Sequence, residues 1–248
     1  MYTYSKLGTN GALGNQLWQI AGTIGRALDN EDGFCFPKWA YSKYFSIPEI
    51  YFVDDPEGTD LAPDFLQEIR HWWAVGHQIQ RYLSPSELTK SLAQERGLPT
   101  EAIGVHVRRA NNLQLPDHHP VCGIEYYEQA VEILGGGPLV VFSDDIEWCR
   151  QQDLFRDATF APGPPSNVNL YDLTGPQPLA TEEAVLDLFC MAACSNHVIS
   201  NSSFSWWAAY LGGPSDVVYP DPWYGPAYDH LDVKGMFPIW WTRLEREI

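Results

Sequence analysis

Ala102-Ile-Gly-Val-His-Val-Arg-Arg109 and Leu139-Val-Val-Phe-Ser-Asp-Asp145, with the amphipathic segment Glu125–Leu134 between them, decide the fold class of this chain. Each flank is a short apolar, β-branched run that ends abruptly in charged or hydroxyl residues. The middle carries its apolar residues at helical spacing, and Gly135-Gly-Gly-Pro138 closes it. Strand, helix, strand at this spacing predicts a parallel βαβ unit wound by a crossover helix.

The rhythm continues toward the C-terminus. Asp145–Gln152 reads as a short helix, residues 161–181 as a Pro- and Gly-rich loop, and Glu182–Cys194 as a helix turning Val185, Leu188, Phe189 and Ala192 inward. His197–Ser200 reads as a strand, Phe204–Leu211 as a helix stopped by Gly212-Gly213, and Val217–Tyr219 as a last strand. Toward the N-terminus, Tyr2–Leu7 alternates like a strand and Gly8–Gly14 is a flexible turn. Leu17, Ile20, Ala21, Ile24 and Leu28 then keep the helical period. Phe65–Leu83 and Ser86–Arg96 read as helices, the second capped by Ser84 or Ser86. The rest of 30–100 is broken by Pro37, Pro48, Pro56 and Pro63 and yields no pattern. Two α/β regions are expected, 1–100 and 101–248.

Composition narrows the partners. A formal charge of −17, with 15 Lys plus Arg against 32 Asp plus Glu, repels a phosphate backbone, so no nucleic-acid partner is expected. Any bound anion must meet a few placed cations. No run of about 18 apolar residues marks a transmembrane helix, and Met1–Gly14 lacks the apolar core of a secretory signal. Cys35, Cys122, Cys149, Cys190 and Cys194 fit no zinc or redox spacing and read as buried thiols of a reducing, cytoplasmic compartment. Oligomeric state has no signature in the sequence.

Three polar clusters follow three strands: His106, Arg108 and Arg109; Ser143, Asp144 and Asp145; Asn201, Ser202, Ser203, Phe204 and Ser205. In an open parallel sheet ligands bind beyond the carboxyl ends of the strands, so the three converge on one edge. Arginine grips phosphate with a rigid fork, and the start of a helix after the serines attracts an anion. The aspartates suit ribose hydroxyls or base N–H groups. Each cluster has a plainer reading as well. An Asp pair before a helix suits an N-cap, an Arg pair suits surface ion pairs, and His106 between two valines suits a core histidine.

These residues carry a resemblance. Gly11-Ala-Leu-Gly-Asn-Gln16 is similar to the N-terminal Gly-Gly-Leu-Gly-Asn-Gln signature of the α-1,2-fucosyltransferases, and His106-Val-Arg-Arg109 to their His-x-Arg-Arg motif. Phe142–Trp148 and Asn201–Trp207 resemble two later blocks of that family. His119-Pro-Val-Cys122 and Asp187-Leu-Phe-Cys-Met191 are smaller echoes. The resemblance implies a GT-B-like fold of two Rossmann-like halves facing across a cleft, with the acceptor side in 1–100 and the donor side in 101–248. It implies GDP-β-L-fucose as donor, a glycan acceptor, inversion at the anomeric carbon, and no metal or other cofactor. It makes Gly14, Asn15 and Gln16 donor-binding residues together with the three clusters, and puts Arg108 on the β-phosphate. After the Arg pair the family usually has Gly-Asp-Tyr, where this chain has Ala110-Asn111-Asn112. An amide cannot take a proton. Asp117, His118 and His119 lie on the same loop, and related α-1,6-fucosyltransferases carry an acidic residue about that far along, so Asp117 is the expected base. Loss of catalysis at this point, leaving a sugar-nucleotide or glycan-binding protein, is the rival expectation, and an α-1,6 linkage is another.

Overall fold

The computed structural model describes residues 1–162 and 182–246, and these divide into two compact units. The first comprises Met1–Leu92, residues 182–185 and Lys234–Phe237; the second comprises residues 93–162, Leu186–Val233 and residues 238–246.

In the first unit, strand β1 (Tyr2–Thr3) is followed by helix α1 (Leu13–Asp29), then β2 (Phe36–Pro37), β3 (Phe52–Val53) and β4 (Thr59–Asp60). Strand β1 pairs with β4 and β2 with β3, both in parallel. The strand expected over Tyr2–Leu7 stops at Thr3, because Leu7 and Thr9 turn back onto Tyr4 and Lys6 through backbone bonds. Helix α1 holds the face that the periodicity gives: Leu17, Ile20, Ala21 and Ile24 are fully buried. Gly25 lets the chain at His71 pass close, since a Cβ there would sit 2.1 Å from the His71 carbonyl oxygen. The helix expected over Phe65–Leu83 is a correction. Only α2 (Gly76–Leu83) is α-helical, and two short 3-10 turns, Ile69–His71 and Trp73–Val75, precede it. Leu66 at φ 56° and Trp72 at φ −147° break the helical path. Burial of Trp72 against Trp18, rings 5.8 Å apart, sets that path in place of local propensity. Helix α3 (Glu87–Glu95) begins at Ser86, whose hydroxyl accepts from the Thr89 amide.

The second unit is built on β5 (Ile103–Val107), β6 (Leu139–Ser143), β7 (Thr159–Phe160), β8 (Asn196–Val198), β9 (Val217–Asp221) and β10 (Thr242–Glu245). They form one sheet in the order β10-β9-β8-β5-β6-β7, every pair parallel. Counted from β5, this is the doubly wound order 3-2-1-4-5-6, with its switch point between β5 and β8. Helices α4 (Ile124–Ile133), α5 (Ile146–Arg150), α6 (Glu182–Ala192) and α7 (Ser203–Leu211) alternate with the strands. The expected helices are recovered with ends moved by a residue or two. Strands β7 and β10 were not foreseen, and the last expected strand runs on to Asp221. Of the loop expected over 161–181, residues 163–181 lie outside the described residues.

Period-two alternation sorts β5 between the two faces. Ile103, Val105 and Val107 pack with Tyr126, Tyr127 and Ala130 of α4 and Cys149 of α5. Gly104 lies against Met191 and Cys194, and the His106 ring lies 5.2 Å from the Phe204 ring on α7. Covered on both faces, the strand is wholly buried, and His106 is its one polar side chain. Asp187 on α6 makes a buried ion pair with Arg96 just past α3.

His197 on β8 is buried with both ring nitrogens engaged. The Met191 carbonyl can only accept, so Nε2 carries the proton (2.9 Å) and Nδ1 accepts from Ser215 (3.1 Å). Burial pushes its pKa down to about 4, and that of His106 down to about 3 by burial and the Arg108 charge. Their stabilising contribution is whole above the unfolded value near 6.5 and is lost as pH falls toward the folded values, because the unfolded chain then binds protons that the native one refuses. Each is expected to cost about 2 kcal/mol between pH 7 and pH 5. His197→Gln should remove about half of that histidine-dependent slope in urea titrations at the two pH values. An unchanged slope would mean that His197 takes a proton without unfolding.

Candidate active site at the switch point

Both sides of the switch point are tied together by His106, at the penultimate position of β5, and Ser200, two residues past β8. Their Nδ1 and Oγ atoms are 2.7 Å apart. Arg108 leaves β5 next and donates from Nη1 to Asp144 at 2.6 Å. The same carboxylate accepts the Arg109 amide at 2.9 Å. Arg109 donates from Nε to Asp145 at 3.1 Å and lies over the Trp148 ring, 4.0 Å from its centroid. Asp145 also accepts the Trp148 amide and so caps α5, while Ser143 accepts the Asp145 amide at 2.9 Å. The first two clusters are therefore one ion-pair network between adjacent strand ends. The capping and ion-pair readings both hold, and the network positions Arg108 as well. Arg108 and Asp144 are nearly buried, at 17% and 9% side-chain exposure. Burial opposes the guanidinium charge and Asp144 restores it.

The third cluster splits by role. Asn201 is buried and donates from Nδ2 to the carbonyls of Pro120 (3.0 Å) and Trp223 (3.1 Å), fastening two loops to the end of β8. The Ser205 hydroxyl turns back to the carbonyls of Ser200 and Ser202. Ser202 is the N-cap of α7 and makes no side-chain cap bond, while Ser202, Ser203 and Phe204 remain partly exposed. The helix start thus presents backbone amides and two hydroxyl side chains at this edge, suited to an anion.

Gly14, Asn15 and Gln16 lie in α1 of the first unit. Gln16 is buried, donating to the Gly11 carbonyl at 2.8 Å and accepting from Trp39 at 2.7 Å; Asn15 accepts from Gln67 at 2.9 Å. These bonds shape the Gly-rich turn from within.

The loop after β5 begins with a 3-10 turn, Ala110–Gln114, on which Asn111 lies with its side chain outside what is described. Asp117 is exposed, and its backbone carbonyl accepts the Ala227 amide. Two residues on, the His119 ring is only partly exposed, with its centroid 5.9 Å from Tyr224 and 5.6 Å from Tyr228. Ser200, Trp148, Tyr224 and Tyr228 are partners that the sequence reading missed. Ser200 and Trp148 border recognised motifs, whereas the tyrosines sit in a C-terminal stretch without periodicity.

Residues 31–224 match the family described as Glycosyl transferase family 11. An alpha-1,2-colitosyltransferase of Escherichia coli is 29% identical over 161 residues, covering 59% of this chain and 49% of that protein. The galactoside 2-alpha-L-fucosyltransferase SEC1 of Bos taurus is 28% identical over 166 residues, covering 63% and 39%. The chain spans about half the length, or less, of these curated relatives. Among solved structures, a mutant of Arabidopsis thaliana FUT1 in complex with GDP superposes at a TM-score of 0.53, with 13% identity over 90% of this chain and 72% of that one. That likeness shows the GT-B-like α/β fold.

Proposed function

The chain belongs to glycosyl transferase family 11, and from that premise we propose that it transfers L-fucose from GDP-β-L-fucose to a sugar hydroxyl, galactose O2, with inversion at the anomeric carbon. The observation that carries this reading is the pairing, at one sheet switch point, of a nearly buried arginine with a helix start offering backbone amides. Such a site suits the diphosphate of a sugar nucleotide.

In this reading Arg108 and the first turn of α7 bind the diphosphate and stabilise the charge that grows on it as the bond to the sugar breaks. Arg109 is held by Asp145 and Trp148, and Asp144 orients Arg108. The acceptor hydroxyl attacks an oxocarbenium-like carbon from the opposite face. A residue of the loop after β5 takes its proton. A second reading keeps this chemistry with a colitosyl donor, which the name of the Escherichia coli relative favours. GDP release from GDP-fucose in the presence of lactose tests the first reading against a binding protein. Tight GDP-fucose binding with no turnover on any acceptor would leave the binder.

We expect the reaction to need no divalent metal. The carboxylates at this edge, Asp144 and Asp145, are already neutralised by Arg108 and Arg109, and a diphosphate leaving group can be stabilised by the arginine and the helix dipole. Turnover should be the same with and without EDTA. Complete loss restored by Mn²⁺ would overturn this. The net charge of −17 argues against nucleic acid as a partner. Among the described residues no helix is long and apolar enough to cross a membrane. Five unpaired, buried cysteines support a reducing, cytoplasmic setting.

A further inference from the structure

We propose that His119 is the base that removes the proton from the acceptor hydroxyl, an inference that rests on the transferase reading above. A base at this edge must keep a ring nitrogen or carboxylate oxygen available and be unprotonated at neutral pH. The titratable groups of this edge separate on these demands. Asp144 and Asp145 are bound to Arg108 and Arg109. His106 is buried, bonded to Ser200, and too weak a base with its pKa pushed down to about 3. Asp117 is exposed, and only its backbone is anchored.

His119 is held from several sides. Its amide donates to the Leu115 carbonyl at 2.8 Å. The carbonyl of the next residue, Pro120, accepts from Asn201 and from Arg246, each at 3.0 Å. This ties His119 to the turn that opens α7. Its ring meets Tyr224 and Tyr228, and Tyr228 also meets His118 and His230. Neither ring nitrogen of His119 has a hydrogen-bond partner among the described residues. The charged and titratable groups around it are Arg108, His118, Tyr224, Tyr228, Arg246 near Pro120 and, two residues back, Asp117. Burial first, then the charges of Arg108 and His118, hold its pKa below the usual histidine value, so the ring is neutral at pH 7. The rings of Tyr224 and Tyr228 offer apolar faces on which a sugar can rest beside it.

The step balances. The acceptor O–H bond breaks as its oxygen bonds the anomeric carbon, and the electron pair of the breaking sugar–phosphate bond leaves with GDP. The proton goes to a ring nitrogen of His119 and then to solvent.

The test uses the whole chain, GDP-fucose and lactose as the probe acceptor. GDP release is followed between about pH 5 and 8, where a histidine titrates. Wild-type kcat should fall as pH drops through the His119 pKa. His119→Gln should lower kcat about 10²- to 10⁴-fold, erase that acid limb and leave GDP affinity within about twofold. His119→Ala should regain turnover with added imidazole, and Asp117→Asn should lose far less turnover than His119→Gln. A purely structural role would weaken GDP binding or stability and keep the acid limb. A His119→Gln enzyme within about threefold of wild type, or one that keeps the limb, overturns the proposal. So does an Asp117→Asn enzyme as inactive as the proposal expects of His119→Gln. Wild-type protein that binds GDP-fucose yet never releases GDP removes the transferase reading itself, and this inference with it.

Discussion

Arg108→Ala is expected to lower turnover at least about 30-fold, equivalent to about 2 kcal/mol for a charge-assisted bond to a buried phosphate. It should also destabilise the second unit by about 3–5 kcal/mol, the usual cost of orphaning one member of a buried ion pair. The two losses have different origins. Among the described residues Asp144, at 9% exposure, keeps only the Arg109 amide once the guanidinium is gone. Asp144→Asn in the Arg108→Ala background removes the stranded charge, so it should restore most of the stability and none of the turnover. Arg108→Lys should recover part of both, because an ammonium supplies charge without the planar fork. Kinetics with GDP-fucose and urea denaturation of the four proteins separate the effects. Wild-type turnover by Arg108→Ala would remove Arg108 from the donor site.

The second large effect is expected at Asn201. Its Nδ2 group donates to two carbonyls, Pro120 and Trp223, and Asp has the same shape with no N–H to give. Asn201→Asp should therefore cost about 3 kcal/mol or more, with a carboxyl forced against buried carbonyls. Asn201→Ala should cost about 2 kcal/mol. It leaves the Trp223 carbonyl without that donor while Arg246 still reaches Pro120. Thermal or urea unfolding measures both, and Asp no worse than Ala would mean that the amide does not act as the donor. Because Pro120 follows His119, the alanine variant should also lose turnover beyond its loss of stability.

The parallel α/β half was legible in the residues themselves. Buried parallel strands must be continuously apolar and helices must show a 3.6-residue stripe, so β5, α4, β6, α6 and α7 are written locally and were read within a residue or two. The same logic put three polar clusters on one sheet edge, because ligand-facing residues must follow strand ends. Of the two-residue strands, β1 was read but carried too far, to Leu7, and β2, β3, β4 and β7 were not legible. So short a segment has no period, and each exists because a neighbouring strand supplies its hydrogen bonds. The path of 65–75 was set by Trp72 seating against Trp18, a contact between residues 54 positions apart that outweighs local propensity. Roles within the site were decided by tertiary structure for a similar reason. Serine, asparagine and histidine look alike in a motif whether they meet a ligand or their own chain. Only folding showed that Ser205 and Asn201 turn to backbone carbonyls and that Asp144 holds Arg108. Only folding showed that His119, and not Asp117, is held among aromatic rings under the influence of the arginine. Local sequence fixes which groups can bond, but the partner each group finds depends on which distant segments are brought within about 3 Å of it.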